Sequence, residues 1–192
     1  MNAYWNRRRW LKSLIAGGAG ITLARFASAE QTAAVVAEEA PVEERLLELF
    51  NIHTNVTVKA VYKRGAEFDA TAIESFKNLL RDRRNDDVHD IDVRLYDQLF
   101  DLARLAKCHP HYDIISAYRS QESNDKMSSR PGSGVAKKSL HMQGRAIDVR
   151  LRGCTCARLR DLALEAKFGG VGYYEKSDFV HLDTGTFRTW VG

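Results

Sequence analysis

Ionisable side chains set inside short apolar segments near the carboxyl end are the feature that most constrains how this chain folds. Residues 145–151 alternate between two faces, with Asp148 on one of them, and residues 179–182 place His181 among Phe, Val and Leu. This alternation predicts two strands. Because a buried polar group needs a partner, the fold has to bring Asp148 and His181 to other polar side chains.

A further histidine, His141, precedes Asp148 by seven residues, and Gly144 between them lets the backbone turn so that both side chains can face one point. Two imidazoles and one carboxylate are the three protein ligands of many hydrolytic zinc sites, in which water takes the fourth position. Zinc lowers the pKa of that water to about 7. The spacing therefore indicates a zinc site on His141, Asp148 and His181, and a chance placement of histidines is the alternative.

Periodicity elsewhere in the chain predicts an α+β domain. The predicted helices cover residues 69–84, 92–107 and 157–167, with a short helix over 43–50, and the predicted strands cover 55–62, 112–117, 145–151, 171–174 and 179–182. Residues 120–139 are polar and contain Pro and Gly, which predicts a long surface loop. We expect a single domain over residues 43–192, with a small, mainly antiparallel sheet, helices packed against it and the zinc cleft on the sheet.

The first 29 residues have the composition of a targeting segment. Three arginines followed by Trp-Leu-Lys, at 7–12, precede a weakly apolar run diluted by glycine and a small-x-small cleavage site at 27–29. This order is typical of a twin-arginine signal, with an ordinary secretory signal or an uncleaved anchor as the alternative. We expect the twin-arginine export machinery as a partner, cleavage after Ala29, a flexible arm over 30–42, a periplasmic location and no stable membrane span after processing.

The basic character of the chain lies mostly in this segment. The whole chain has 29 Lys and Arg against 25 Asp and Glu, a net charge of +4. Residues 1–29 contain five of the bases and no acid, so the remainder carries 24 bases against 25 acids. A remainder with a net charge of −1 offers no electrostatic footprint for a nucleic acid, and we expect no nucleic-acid partner.

The chain has three cysteines, Cys108, Cys154 and Cys156. In an oxidising compartment we expect one disulfide between Cys108 and either Cys154 or Cys156, which leaves one thiol free. The sequence does not choose between the two pairings.

Several ordered motifs over most of residues 50–192 resemble one enzyme family. The pattern Ser139-x-His141-x-x-Gly-x-Ala-x-Asp148, followed by an acid-x-x-His181 segment, is similar to the zinc D-alanyl-D-alanine metallopeptidases. The similarity is greatest to their exported murein endopeptidase branch. The shared motifs are Leu-Arg-Asp at 80–82, Ile-Ser-Ala-Tyr-Arg-Ser at 115–120, Gly-Gly-Val-Gly-Tyr-Tyr at 169–174 and Phe-Val-His-Leu-Asp-Thr-Gly at 179–185.

The resemblance implies a role for each matching residue. His141, Asp148 and His181 match the zinc ligands, and Arg119 matches the arginine that steadies the scissile carbonyl or a substrate carboxylate. A fixed cation near zinc can take the oxyanion charge that develops during attack. The alternative for Arg119 is a surface salt bridge.

The general base is less well defined by the resemblance. The family places Glu or Asp three residues before the last histidine, which is Asp178 here, although an aspartate reaches less far than a glutamate. Asp183 is the rival, on the same strand face as His181, where it would instead orient the imidazole. We favour Asp178 as the base. Ser139 either contacts substrate or caps a turn.

The resemblance thus implies a zinc-dependent peptidase with one zinc per chain that hydrolyses crosslinks between peptidoglycan stem peptides. One alternative is a zinc-stabilised module that binds peptidoglycan or scaffolds wall enzymes without catalysis, and another is a zinc hydrolase of a different amide or ester. Whether the bond joins D-alanine to diaminopimelate or two diaminopimelates is not determined by the sequence, and neither are oligomeric state and regulation.

Overall fold

The computed structural model describes residues 42–192, so the predicted signal and the predicted arm up to residue 41 lie outside the described residues. The strands are β1 Glu44–Asn51, β2 Val56–Arg64, β3 Glu67–Phe68, β4 His111–Ser116, β5 Ala146–Leu151, β6 Gly170–Tyr174, β7 Phe179–Asp183 and β8 Arg188–Val191. The helices are α1 Ala70–Leu79, α2 Val93–Ala106, α3 Gln121–Ser128 and α4 Cys156–Ala166, and Leu140–Gln143 is a 3₁₀ turn. Within this range, none of the helices has the length and apolarity needed to cross a bilayer.

The predicted α+β class is confirmed, but the sheet differs from the small, mainly antiparallel one that we expected. The described strands form one eight-stranded sheet in the order β3-β2-β1-β4-β5-β7-β6-β8. It is mixed, because β1 runs parallel to β4 and β6 runs parallel to β8. A parallel pair needs a long crossover, which α1 and α2 provide between β1 and β4, and strand periodicity alone does not reveal which strands become partners.

The core lies between the sheet and the helices on one of its faces. α2 and α4 pack on each other and on the central strands. Alternate strand residues are buried in this layer, among them Ile147, Val149, Leu151, Val180 and Leu182. Because successive strand side chains point to opposite faces, the intervening residues Asp148 and His181 project from the other face of the sheet.

The predicted short helix over residues 43–50 is wrong, because this segment forms β1. It pairs with β2 on one side and with β4 on the other, and Leu47 and Leu49 are fully buried. Leu46, Leu47 and Phe50 also fit a helical period, and a run this short does not distinguish the two periods. Hydrogen bonding to β2 on one edge and to β4 on the other makes this segment a strand.

The three longer predicted helices are confirmed with adjusted ends. Asp69 caps α1 by accepting a bond from the backbone N–H of Ala72, and Asp92 caps α2 in the same way through Arg94. α1 ends at Leu79, five residues before the predicted end. The polar run that follows is not wholly solvated, because Asp82 is completely buried and accepts bonds from the backbone N–H and hydroxyl of Ser120 at 3.0 and 2.9 Å.

The predicted loop over residues 120–139 is only partly correct. Ser120 accepts a bond from the backbone N–H of Ser123 and so caps α3, and residues 129–139 contain no helix or strand. The polarity of α3 concealed it, since among its residues only Ser123 and Asn124 are buried.

The predicted disulfide is not formed in the structure, in which Cys108, Cys154 and Cys156 are free thiols. The Cys108 thiol instead lies 3.4 Å from the carbonyl oxygen of Gly153 and 3.6 Å from that of Ala106. Burial and a hydrogen bond with Asp178 raise the pKa of the Cys156 thiol to about 12, so this cysteine is a poor nucleophile at neutral pH.

Candidate metal centre

Two neighbouring strands place the predicted carboxylate and the second imidazole side by side. Asp148 on β5 and His181 on β7 are directly opposed in the antiparallel register, and both are buried. Side chains that face each other across an antiparallel pair have Cβ atoms about 4.5–5.5 Å apart. Strand pairing therefore brings together two residues that are far apart in the chain.

The third residue, His141, reaches the same point from the 3₁₀ turn before β5. Ser139 Oγ accepts a bond from the backbone N–H of His141 at 3.3 Å, so this serine caps the turn. Gly144 ends the turn with φ at +63°, and a Cβ there would overlap the carbonyl oxygen of Asp90. The predicted need for glycine at this position thus has two physical causes, the left-handed backbone and the close approach of the segment before α2.

The three side chains form a compact donor set. Nε2 of His141 lies 3.2 Å from Nδ1 of His181 and 3.4 Å from Oδ1 of Asp148. Nδ1 of His181 lies 2.8 Å from Oδ1 of Asp148. A tetrahedral zinc with bonds of about 2.0–2.1 Å holds its ligand atoms roughly 3.3 Å apart. The separations and the N, N, O chemistry of this set, buried together, therefore fit an ion of this kind.

A backbone carbonyl fixes the tautomer of His141. Nδ1 of His141 lies 2.6 Å from the carbonyl oxygen of Ala117, which follows β4. A carbonyl only accepts, so Nδ1 carries the proton and Nε2 presents its lone pair to the cluster. Burial also lowers the pKa of His141 below its ordinary value, which favours the neutral ring that a metal ligand requires.

The orientation of His181 is set by Asp183. Oδ2 of this carboxylate lies 3.2 Å from Nε2 of His181, which turns Nδ1 toward Asp148. Asp183 is completely buried and also accepts bonds from the guanidinium of Arg188 and from the backbone N–H groups of Gly170 and Gly185. Asp183 therefore bonds to the ring nitrogen of His181 that is not turned toward Asp148, and so fixes the orientation of the ring.

The charges of the cluster favour cation binding. Burial opposes ionisation of Asp148, but its contacts with His141 and His181 hold the pKa of this carboxyl well below its usual range. Burial would lower the pKa of His181, yet its bonds with Asp148 and Asp183 outweigh burial and raise that pKa to about 9. A cation that binds Nδ1 of His181 would therefore displace a proton and replace its positive charge.

The predicted arginine lies at this site. Arg119 is only 6% exposed and lines a cavity of about 550 Å³ that opens onto His141, Asp148 and His181. Its Nη1 donates to Asn124 of α3 at 3.2 Å, and its Nε is buried without a hydrogen-bond partner among the described residues. Burial lowers the pKa of Arg119, although a guanidinium stays charged at neutral pH. The arrangement is a buried cation with an unused donor, which differs from the surface salt bridge considered as the alternative.

The two candidate bases occupy different surroundings. Asp183 contacts Nε2 of His181, the ring nitrogen that is not turned toward Asp148. Asp178 is in the β6–β7 turn, its side chain is 71% exposed, its carboxylate lies 3.5 Å from Nε of Arg150, and it hydrogen bonds with Cys156. The structure therefore does not bring Asp178 into the cluster, although the adjacent Phe179 lines the cavity.

Sequence reasoning missed several residues that line the cavity or support it. Tyr174, Arg188 and Trp190 line it, and Asn124 holds Arg119. Trp190 and Arg188 belong to β8, a four-residue strand whose alternation was too short to detect. The Tyr-Tyr pair at 173–174 was noticed, but only the register of β6 shows that Tyr174 faces the cavity while Tyr173 packs against the core.

The mixed sheet packs against α2 and α4 on one face and has a buried His-Asp-His cluster under a cavity on the other. These features define an α+β protein with a candidate hydrolytic metal centre. The chain belongs to the peptidoglycan L,D-endopeptidase MepK family of M15 peptidases, whose family model matches residues 39–190. It is 38% identical over 146 residues to peptidoglycan L,D-endopeptidase MepK of Escherichia coli K12, covering 76% of this chain and 80% of that protein. It is 32% identical over 188 residues to the probable peptidoglycan L,D-endopeptidase MepK of Haemophilus influenzae, covering 97% and 96%. No solved structure matches the chain significantly.

Proposed function

We propose that this protein is a zinc-dependent peptidase that hydrolyses peptide crosslinks in bacterial peptidoglycan. The observation that carries the proposal is the buried donor set of His141, Asp148 and His181, which faces a cavity of peptide size. The relatives are named L,D-endopeptidases, and we extend this bond type to the present chain. Export through the twin-arginine machinery to the periplasm remains a prediction from residues 1–29.

The residues of this chain would hold and orient the reacting groups. A bound zinc would act as a Lewis acid and lower the pKa of a water molecule to about 7. Ala117 and Asp183 hold the two imidazoles in the orientation that such an ion requires. Arg119 lines the same cavity, and we assign to its guanidinium the stabilisation of the carbonyl oxygen as negative charge develops there.

For the general base we propose Asp178, with Asp183 as a positioning residue. Both oxygens of Asp183 accept bonds from His181, Arg188 or backbone N–H groups, so this carboxylate has little capacity left to accept a proton. Asp178 is exposed and precedes Phe179 at the cavity. To act, it has to leave Arg150 and Cys156 and turn toward the cavity, a movement available to an exposed side chain in a turn.

Substitution of each aspartate should give a different kinetic result. We expect Asp178→Asn to lower kcat by about 10²–10⁴-fold with zinc affinity unchanged, because a positioned base contributes that much. Asp183→Asn should weaken zinc affinity by about 10–100-fold, because His181 loses its orienting partner, and excess zinc should restore most of its activity. The measurements are kcat on a crosslinked muropeptide dimer at saturating zinc and zinc affinity by chelator competition.

Asp161→Asn is the matched control, since Asp161 is also an exposed aspartate paired with an arginine and should retain full activity. If zinc-saturated Asp183→Asn were inactive while Asp178→Asn remained active, the two assignments would have to be exchanged.

The proposed function itself is tested by digestion of purified, crosslinked peptidoglycan, with the fragments identified by mass spectrometry. We expect crosslinked dimers to become monomers, a chelator to stop the reaction and added zinc to restore it. The fragment masses also identify the bond. Stoichiometric zinc binding without any cleavage would favour a non-catalytic peptidoglycan-binding module, and cleavage of unrelated amides alone would favour another zinc hydrolase.

A further inference from the structure

Three adjacent strands place an indole ring against a proposed metal ligand. Gly172 of β6 is paired with His181 of β7 on one side and with Trp190 of β8 on the other. A Cβ at Gly172 would lie 2.6 Å from the indole ring of Trp190, so this ring leans over the glycine backbone. The ring centroids of Trp190 and His181 are 5.1 Å apart. Because Gly172 has no Cβ, the indole ring of Trp190 can lie directly beside the His-Asp-His cluster.

Two further aromatic rings extend the surface formed by Trp190. The indole Nε1 donates to the hydroxyl of Tyr174 at 3.1 Å, and the Tyr174 ring stacks on Phe179 with centroids 4.5 Å apart and planes 14° apart. Trp190, Tyr174 and Phe179, which we call the aromatic wall, all line the cavity, and all three are only partly buried. None of them belongs to the hydrophobic core cluster, so the packing of the core does not account for them.

The charges of the same cavity select the kind of ligand that would cover this wall. Among the described residues that line it, Arg119, Lys138 and Arg188 are cations, and Asp148 is the carboxylate. Arg188 is paired with Asp183, whereas Arg119 keeps an unpartnered Nε. A ligand that combines an aliphatic segment with carboxylates would match both the wall and the cations.

We propose that the aromatic wall is the subsite that holds the aliphatic chain of a crosslinking diamino dicarboxylic acid, such as diaminopimelate, and that Trp190 determines specificity for it. This inference rests on the proposed function and adds the residue that selects the substrate. Trp190 contacts the substrate chain and takes no part in proton transfer. The carboxylates of the substrate are held by Lys138 and Arg188, which line the same cavity, whereas Arg119 keeps its role at the scissile carbonyl.

A double cycle that compares the unchanged protein and Trp190→Ala on two substrates tests the contact between Trp190 and the aliphatic chain. One substrate is a stem-peptide dimer crosslinked through diaminopimelate, and the other has the same crosslink through 2,3-diaminosuccinate, which keeps both amines and both carboxylates but lacks the methylene chain between them. Trp190→Ala should lower kcat/KM for the first by about 10- to 100-fold, mainly through KM, because it removes the apolar surface that covers the chain. For the substrate without the methylene chain, Trp190→Ala should lower kcat/KM by at most about threefold. Trp190→Phe should retain most of the activity on both substrates.

Two outcomes would overturn the inference and not the proposed function. One is an equal loss on both substrates with zinc affinity unchanged, and the other is full activity of Trp190→Ala. If the unchanged protein cleaved neither substrate, the proposed function itself would fail. Because Trp190→Ala removes a β8 contact, its thermal unfolding and zinc content are measured alongside, and the titration of indole emission described next carries the test should the alanine variant not fold.

A binding measurement independent of turnover uses the indole itself. The chain has tryptophans only at positions 5, 10 and 190, so the full chain with Trp5→Phe and Trp10→Phe reports on Trp190 alone. Titration with a monomeric stem peptide that contains diaminopimelate should shift the emission to the blue, because the partly exposed indole becomes covered. The corresponding diaminosuccinate peptide should give a much smaller shift, and equal shifts would contradict the assignment.

Discussion

Replacement of His181 with alanine should remove both zinc binding and crosslink cleavage. The ring supplies one of three donor atoms, and Asp148 would lose its 2.8 Å partner. Loss of a group that merely orients a metal ligand costs about 10–100-fold in affinity, so loss of the ligand itself should cost at least about 10³-fold. Zinc per chain after dialysis, chelator competition and the muropeptide digest measure the two effects.

His109→Ala is the control for the His181 substitution. His109 is exposed and its ring makes no hydrogen bond with the described residues, so the variant should bind one zinc and cleave normally. A His181→Ala protein that still bound stoichiometric zinc and cleaved crosslinks would show that the cluster is not the metal centre of the reaction.

The second large effect is expected at Arg119. This buried arginine lines the cavity, and removal of one donor to a developing oxyanion typically lowers kcat by about 10²–10³-fold. We expect Arg119→Met to show such a loss with zinc affinity unchanged, because no metal ligand bonds to this side chain. Arg119→Lys should recover part of kcat, since it retains the charge without the planar fork.

Two controls separate this catalytic role from a structural one. Arg158→Met alters an exposed arginine of α4 and should leave kcat unchanged. Asn124→Ala removes the 3.2 Å bond to Nη1 and should give an intermediate loss, because Arg119 is then less well held. If Arg119→Met lowered the melting temperature but kept a normal kcat when folded, Arg119 would be a structural residue only.

Local chemistry indicates the donor set in the sequence, and the family resemblance strengthens the prediction. His141, Asp148 and His181 stand in segments whose apolar neighbours demand burial, and Gly144 indicates the turn between the first two. Helices α1, α2 and α4 were equally accessible, because their period and the caps Asp69 and Asp92 are contained in a few consecutive residues. These signals need no knowledge of distant partners.

Elements that depend on distant partners were missed. The sequence of β1 predicts a short helix because its strand character comes from β2 and β4, and the sequence of β8 predicts no strand because only parallel pairing with β6 makes it one. The polar α3 lacks an apolar stripe, yet it supplies Asn124 to Arg119. The sheet was likewise expected to be mainly antiparallel, since no local pattern indicates that β1 and β4 run parallel.

The sequence by itself determined which atoms are available for a metal, and the tertiary structure decided how each supporting group is used. Asp178 and Asp183 are both candidate bases in the sequence, with Asp178 favoured, but the register of β7 makes Asp183 a hydrogen-bond partner of His181, whereas the turn leaves Asp178 exposed beside Arg150. Trp190 acquired a place beside His181 only because β8 lies next to Gly172. The physical reason is that the identity of each residue fixes its donor atoms, whereas the direction in which a strand side chain points depends on strand register. That register is set by the packing of the whole sheet.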